Sequence, residues 1–343
     1  MQSKAMGIRA GIVLSAVWML LAATVGRAVA AEDYATVQVL PVRPGKVFML
    51  TAQGINVTVA TGPAGTVVVD PGPANSAQAV LTAISKITSV PVRFLIDTSA
   101  DTELIGASRT VAAAGQNLLG LNGLDSALAR SAAIPTGSSG AATIMRQSVL
   151  TRLLGEPGVD YSTLSIETFS RPEYNFYLNG PVAVIWQPAA HSNGDTVVRF
   201  ERPDVVATGA IFDQTRFPVI DLKNGGTIQG EINALDAVIN TLAFASTPVG
   251  SNDGGTLVIP VRGPLSDLDG LVSYRDMVAT VVARVQYYID RGRSYRQIVA
   301  SDPAQGYHTR YGSDTGSWTT ADFVDAVYRS LMSERNSHHG KRG

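Results

Sequence analysis

Three apolar runs near the start of the chain, Val47–Thr51, Ile55–Ala60 and Thr66–Asp70, are separated by turn signals at Gln53-Gly54 and Gly62-Pro63-Ala64-Gly65. Short β-branched segments at this spacing predict a meander of strands. Over Ser76–Ile87 apolar residues at Ala79, Val80, Ala83, Ile84 and Ile87 keep a helical rhythm. Val92–Ile96, a compact apolar run between Pro91 and Asp97, predicts a buried strand, and Leu104–Ala114 the helix after it. Strand and helix in alternation predict a sheet covered by helices.

A second set of strands is predicted at Thr163–Phe169, Phe176–Leu178, Val182–Trp186, Val197–Phe200 and Val205–Ala207, with Asn179-Gly180 as a turn inside it. Ile228–Leu242 and Leu271–Ile289 have the longest helical periodicity, and Gly137–Gly140 reads as a loop. The pattern adds up to an α/β protein with two β-sheets and helices outside, an αββα sandwich.

Composition changes the picture first at the N-terminus. Lys4 and Arg9 precede the apolar run Gly11–Val25, and Ala28-Val29-Ala30 offers small residues, so residues 1–30 read as a secretory signal with cleavage near Ala30. A retained anchor is the alternative, but the run is short of the ~20 residues that span a bilayer. A periplasmic or secreted protein with no stable membrane span is therefore expected, with one domain over residues 31–335. Residues 336–343 read as a disordered tail; Ser337–Gly343 holds two histidines, a lysine and an arginine, yet a frayed polar terminus explains it without a metal. With 27 basic against 28 acidic residues, the basic excess of a nucleic-acid binder is missing. There is no cysteine, hence no disulfide and no thiolate ligand.

Candidate chemistry lies in five segments. They are Gly65–Gly72 (GTVVVDPG), Ile96–Ser108 (IDTSADTELIGAS), His191–Val198 (HSNGDTVV), Thr208–Phe212 (TGAIF) and Ile259–Pro264 (IPVRGP). In this order they resemble the motifs of metallo-β-lactamase-fold hydrolases: a strand ending in Asp-x-Gly, then H-x-H-x-D-H, H-[TS]-x-G-[DS], T-G-D-x-F and P-G-H-G-P. Tyr274–Thr280 and Phe323–Leu331 resemble that family's C-terminal helices, so the resemblance covers Val47 to Leu331. The resemblance implies the αββα fold. It implies a first metal site at positions 99, 101 and 191, a second at 103, 104 and 262, and a bridging ligand at 210.

Those positions hold Ser99, Asp101, His191, Glu103, Leu104, Arg262 and Ala210. A hydrolytic zinc site needs about three imidazole, carboxylate or thiolate ligands and an open position for water. Leu104 and Ala210 offer nothing, and Arg262 is a permanent cation. No metal is expected, with Asp101, Glu103 and His191 as candidates for one weakly held zinc ion. Fixed charge on Arg262 stands in for mobile charge on zinc if it pairs with Asp101 or Glu103; otherwise it faces water. His191 is either a relic held by Asp195 or backbone, or a proton carrier in a weakened site. By resemblance Asp70 is an acceptor behind the loop, and Asp97, Asp213 and Asp221 are further candidates for the cleft rim.

Other schemes lack their residues. Besides two tail histidines only His191 and His308 occur, no G-x-S-x-G elbow surrounds Ser99, and Gly225-Gly226 is too short for a phosphate loop. Three functional readings follow. The first is a non-catalytic relative that binds a small ligand or envelope protein in a cleft formed by Ser99, Asp101, Glu103, His191 and Arg262. The others are a mononuclear hydrolase of an ester, thioester, lactone or β-lactam, and a structural envelope protein.

Overall fold

The computed structural model describes residues 37–117, 140–156, 165–243 and 255–340. The proposed signal segment and most of the Gly137–Gly140 loop lie outside the described residues.

Strands β1 (Gln38–Arg43), β2 (Val47–Ala52), β3 (Ile55–Gly62) and β4 (Gly65–Val69) form an antiparallel meander. Strands β5 (Val92–Asp97), β6 (Ala142–Arg146) and β7 (Ser165–Phe169) then add in parallel, giving a seven-stranded sheet ordered β1 to β7. The second sheet has five strands: β8 (Glu173–Tyr177), β9 (Pro181–Trp186), β10 (Thr196–Phe200), β11 (Val205–Ala207) and β12 (Leu257–Ile259). Its order is β12-β11-β10-β9-β8, with only β11 and β12 parallel. Both sheets are therefore mixed, flanked by helices as the sequence pattern predicts.

The two-residue period of a strand divides the core. In β4, Val67 and Val69 face the second sheet, with Ile96, Ile144, Val184 and Val198, while Val68 faces outward with Leu95. Because both faces are covered, these strands read as unbroken apolar runs. Outside the first sheet lie helices α1 (Ala77–Ile87) and α3 (Ser108–Ala114). Outside the second lie α5 (Ile228–Ala243), α6 (Leu268–Asp290) and α9 (Thr320–Gly340), whose Leu235, Tyr274, Val281, Phe323 and Val327 are buried in one cluster; the short helices α7 (Tyr295–Ala300) and α8 (His308–Tyr311) come between α6 and α9 in the chain. Among the described residues no helix is long and apolar enough to cross a membrane.

Some elements differ from the sequence pattern. The helix predicted over Leu104–Ala114 is two short helices, α2 (Thr102–Ile105) and α3, parted at Gly106-Ala107. The break follows from packing: a Cβ on Gly106 would lie 2.7 Å from the Ala74 nitrogen, so the chain bends where it crosses that loop. Strand β1, with four exposed residues of six, and the eight-residue helix α4 (Gln147–Leu154) were not predicted. Helix α9 extends to Gly340, into the stretch read as a tail, because neither proline nor glycine interrupts it before Gly340.

Helix α5 presses on the loop before β10 through glycines. A Cβ on Gly230 would lie 1.8 Å from the carbonyl oxygen of Ala189, and one on Gly226 2.0 Å from that of His191. Backbone on backbone at this distance has no flexible partner to yield. Gly230→Ala is expected to destabilise the protein by about 3 kcal/mol, whereas Gln229→Ala one residue away on the exposed face stays within about 0.5 kcal/mol. Urea unfolding of the two variants reads the difference.

Candidate functional site

Strand ends and the loops that leave them build one site. The β5 strand runs into Asp97-Thr98-Ser99, and Thr196 at the start of β10 donates its N–H to the Thr98 carbonyl at 2.9 Å. The turn after β12 is clamped from β3: Asn56 Nδ2 donates to the carbonyls of Pro260 (3.0 Å) and Gly263 (2.8 Å). Arg262 sits between those two carbonyls in sequence, so its backbone is held from 200 residues away. Gly209 at φ +54° takes a left-handed turn where a Cβ would meet Thr98 Oγ1 at 2.3 Å, which brings the 208–212 loop against the 97–99 loop.

Asp70 stands behind this junction, itself at φ +48°. Its carboxylate accepts from Thr98 N (2.9 Å) and Thr98 Oγ1 (2.6 Å), tying β4 to β5. Burial pushes its pKa up to about 7 against those hydrogen bonds. Asp97 is likewise buried and raised by desolvation, and accepts from Ser108 Oγ at 2.6 Å. It braces α3 rather than rimming the cleft. Ser99, expected in the cleft, is fully buried and lines neither cavity described below; its Oγ accepts the Asp101 N–H at 3.1 Å and shapes the turn instead.

Asp101, Glu103, His191 and Arg262 do come together. His191 lies between two carboxylates, Nε2 3.2 Å from Asp101 and Nδ1 3.3 Å from Asp195. Burial opposes its charge, but Asp195 and then Asp101 outweigh that cost and lift the imidazole pKa to about 9. Asp195 is fixed in turn by the N–H and hydroxyl of Ser192. Arg262 donates through Nη2 to Glu103 and through Nη1 to Asp213 at 3.0 Å. Arg216 joins the same pair, with Nε 3.0 Å from Asp213 and Nη2 3.8 Å from Glu103. Arg152, from α4, bridges Asp221 (3.3 Å) and Asp101 (3.8 Å).

Two spaces meet here. A cavity of about 20 Å³ is lined by Asp101, Leu104, His191, Ala210 and Arg262, with Asp213 and Arg216 among its other walls. Outside it opens a cleft of about 1170 Å³, lined by Asp101, Glu103, Arg152, His191, Arg216 and Trp318 among others. Asp213 and Asp221 thus reach the site, as the sequence allowed. Arg152, Arg216, Trp318 and Glu231 were not anticipated. Glu231 is buried in α5 near His191 and Asp195, with a pKa raised by desolvation, and its two oxygens make no hydrogen bond among the described residues. An acid on the apolar stripe of Ile228, Leu235 and Val238 was the sequence signal that could have found it.

No family model and no curated protein matches this chain. Solved structures do. A stereoselective inverting sec-alkylsulfatase from a Pseudomonas species, Pisa1, aligns with a TM-score of 0.59 at 13% identity, over 85% of this chain and 50% of that one. A double mutant of the same enzyme gives 0.61, again at 13% identity, over 86% and 50%. The DIM-1 metallo-β-lactamase aligns at 0.49 and 13% identity, over 72% of this chain and 98% of that one. This chain has the metallo-β-lactamase fold. It spans about half the length of the alkylsulfatase chains it matches, and at this identity the likeness concerns the fold alone.

The metallo-β-lactamase fold implies a metal centre, and the side chains present do not fit one. A metal-binding histidine must be neutral, whereas both ring nitrogens of His191 face carboxylates that favour its proton. Glu103 and Asp213 are gripped by guanidinium groups, and Leu104 and Ala210 have no donor atom. Among the described residues no group of three or more His, Asp or Glu side chains is placed to hold a metal ion.

Two outcomes follow from these charges. Asp213 is buried, with 5% of its side chain exposed against 54% for Glu103. Arg262→Ala should therefore cost about 2–3 kcal/mol, below the full cost of a stranded charge because Arg216 stays on Asp213, and Glu103→Ala at most about 1 kcal/mol. Denaturant titration of both variants checks the order. The second outcome is a pH slope. The pKa of His191 is raised from 6.5 to about 9 on folding, so its stabilising charge is fully present below pH 6.5 and is lost as pH rises through about 9. Stability measured across this window should fall, and should fall less in His191→Gln.

Proposed function

We propose that this chain is an exported, non-hydrolytic protein of metallo-β-lactamase fold that holds a small organic ligand in the cleft above the former metal positions. One observation carries the reading. Five of the seven positions where the family places metal ligands, 101, 104, 191, 210 and 262, line one small cavity, and the charges there are balanced by protein cations. Hydrolysis at such a place needs a group that activates water. An imidazolium has no free lone pair to take a proton, and a guanidinium bound to carboxylates generates no hydroxide. What persists is a large concave space whose walls combine many charged side chains with apolar ones such as Val219, Leu222 and Trp318, and concave spaces of this kind are where ligands bind. Its volume speaks for a ligand over a purely structural envelope role.

The purified protein should carry well under one equivalent of transition metal and should not hydrolyse β-lactams, lactones, thioesters or aryl esters above background. Near-stoichiometric zinc that is lost on His191→Ala, together with hydrolysis, would overturn the proposal in favour of a mononuclear hydrolase. Combined Ser99→His, Asp101→His, Glu103→Asp, Leu104→His, Ala210→Asp and Arg262→His substitution should create zinc affinity that the parent lacks, measured by competition with a chromogenic chelator.

A further inference from the structure

The floor of the cleft also indicates what kind of ligand it takes. We propose that Arg216 and Arg262 form a seat for the carboxylate of an organic ligand, and that Glu103 occupies this seat while the cleft is empty. The inference rests on the reading of the cleft as a binding site.

The two guanidiniums are held ready from below. Both donate to the same Asp213 oxygen, Arg262 through Nη1 and Arg216 through Nε, each at 3.0 Å. The other oxygen of Asp213 accepts from Thr215 N (2.9 Å) and Thr215 Oγ1 (2.6 Å), so the anchor itself is fixed. Backbone adds to this: Gln214 N donates to the Arg262 carbonyl at 3.2 Å. The arginines are thus pre-organised without help from Glu103.

Glu103 is bound quite differently. It comes from the four-residue helix α2, its side chain is 54% exposed, and both arginines are approached by one oxygen, Oε2. It lines the large cleft but not the small cavity, Arg262 lines the small cavity but not the cleft, and Arg216 lines both. Glu103 therefore lies on the cleft side of Arg262, and swinging it into solvent uncovers that guanidinium toward the cleft.

Charge selects the replacement. Arg216, Arg262, Asp213 and Glu103 together are neutral, and removing Glu103 leaves this cluster one positive charge, set among cleft walls that also carry Asp101, Glu156, Asp221, Asp322 and Asp325 beside Arg152, Lys223 and Arg329. A monoanion restores the balance, and the group already accommodated there is a carboxylate, whose planar oxygens suit guanidinium donors. Leu153, Val219, Ile220, Leu222 and Trp318 in the cleft wall offer apolar surface to the rest of the molecule. The ligand class is an amphipathic organic monocarboxylate.

Calorimetric titration with octanoate, octanamide and octyl sulfate tests the assignment. If Glu103 fills the seat nine-tenths of the time, Glu103→Gln should tighten octanoate binding by about tenfold, because the competent fraction rises to nearly one. Arg216→Gln should weaken octanoate at least as much, octanamide should respond to neither change, and octyl sulfate should bind more weakly than octanoate. Circular dichroism confirms that each variant is folded. The assignment is overturned if octanoate affinity is the same in Glu103→Gln and parent, if Arg216→Gln leaves it unchanged, if octyl sulfate binds more tightly, or if no carboxylate binds the folded Glu103→Gln protein. Octanamide binding as well as octanoate would end the carboxylate seat while leaving a ligand cleft in place; metal-dependent hydrolysis would end the broader reading by itself.

Discussion

Carboxylates concentrated at the ends of buried strands set the problem that the rest of the site answers. Asp70, Asp97, Asp195, Asp213 and Glu231 are all buried within reach of the loops that carry Asp101 and Glu103. An unpaired buried carboxylate costs several kcal/mol, and a chain has only a few remedies: protonation, hydrogen bonds or a nearby cation. Each is used here. Burial raises the pKa of Asp97 and Glu231, Thr98 satisfies Asp70, and Arg216 and Arg262 compensate Asp213. The same loops in a metal-dependent relative would owe this balance to bound cations. Here the cations are covalently part of the chain.

The fold keeps this charge balance local. Sheets and outer helices bury most Val, Ile and Leu in clusters between and outside the sheets, while a smaller cluster with Leu104 and Val261 borders the site itself. Loops at the end of β5, before β10, after β11 and after β12 are free to change side chains as long as their backbone contacts persist, among them Thr196 to Thr98 and Asn56 to Pro260. Function in this fold is a matter of a few side chains on an indifferent frame.

Much of the frame was legible in the sequence because its strands are short, β-branched and bounded by turn residues. Val47–Ala52, Ile55–Gly62 and Gly65–Val69 fall within a few residues of the apolar runs. Strand β1 escaped because an edge strand with an exposed face carries no alternation, and α4 because eight residues give barely two turns of periodicity. At the site, the family resemblance put Arg262 beside Asp101 or Glu103, and it is Glu103 that it meets. Asp213 as the deeper partner was not anticipated, since nothing in the linear order says which carboxylate is buried. Arg152 and Arg216 were missed for the same reason: an arginine that reaches a cleft from a neighbouring loop looks like any surface arginine. Ser99 misled because occupying a ligand's place in a motif does not specify which way a small side chain faces.

The pairing of Glu103 with Arg262 closes a loop of 159 residues, and the clamp from Asn56 to Gly263 closes one of 207. During synthesis the acidic loops of the first sheet leave the ribosome long before their cations do. Asp97 finds Ser108 eleven residues on, and Asp101 finds Arg152 and His191, but Glu103 meets its cations only when Arg216 and Arg262 arrive. These contacts of high sequence separation join the first sheet to the last third of the chain, so the site is complete only when both ends of the domain are in place.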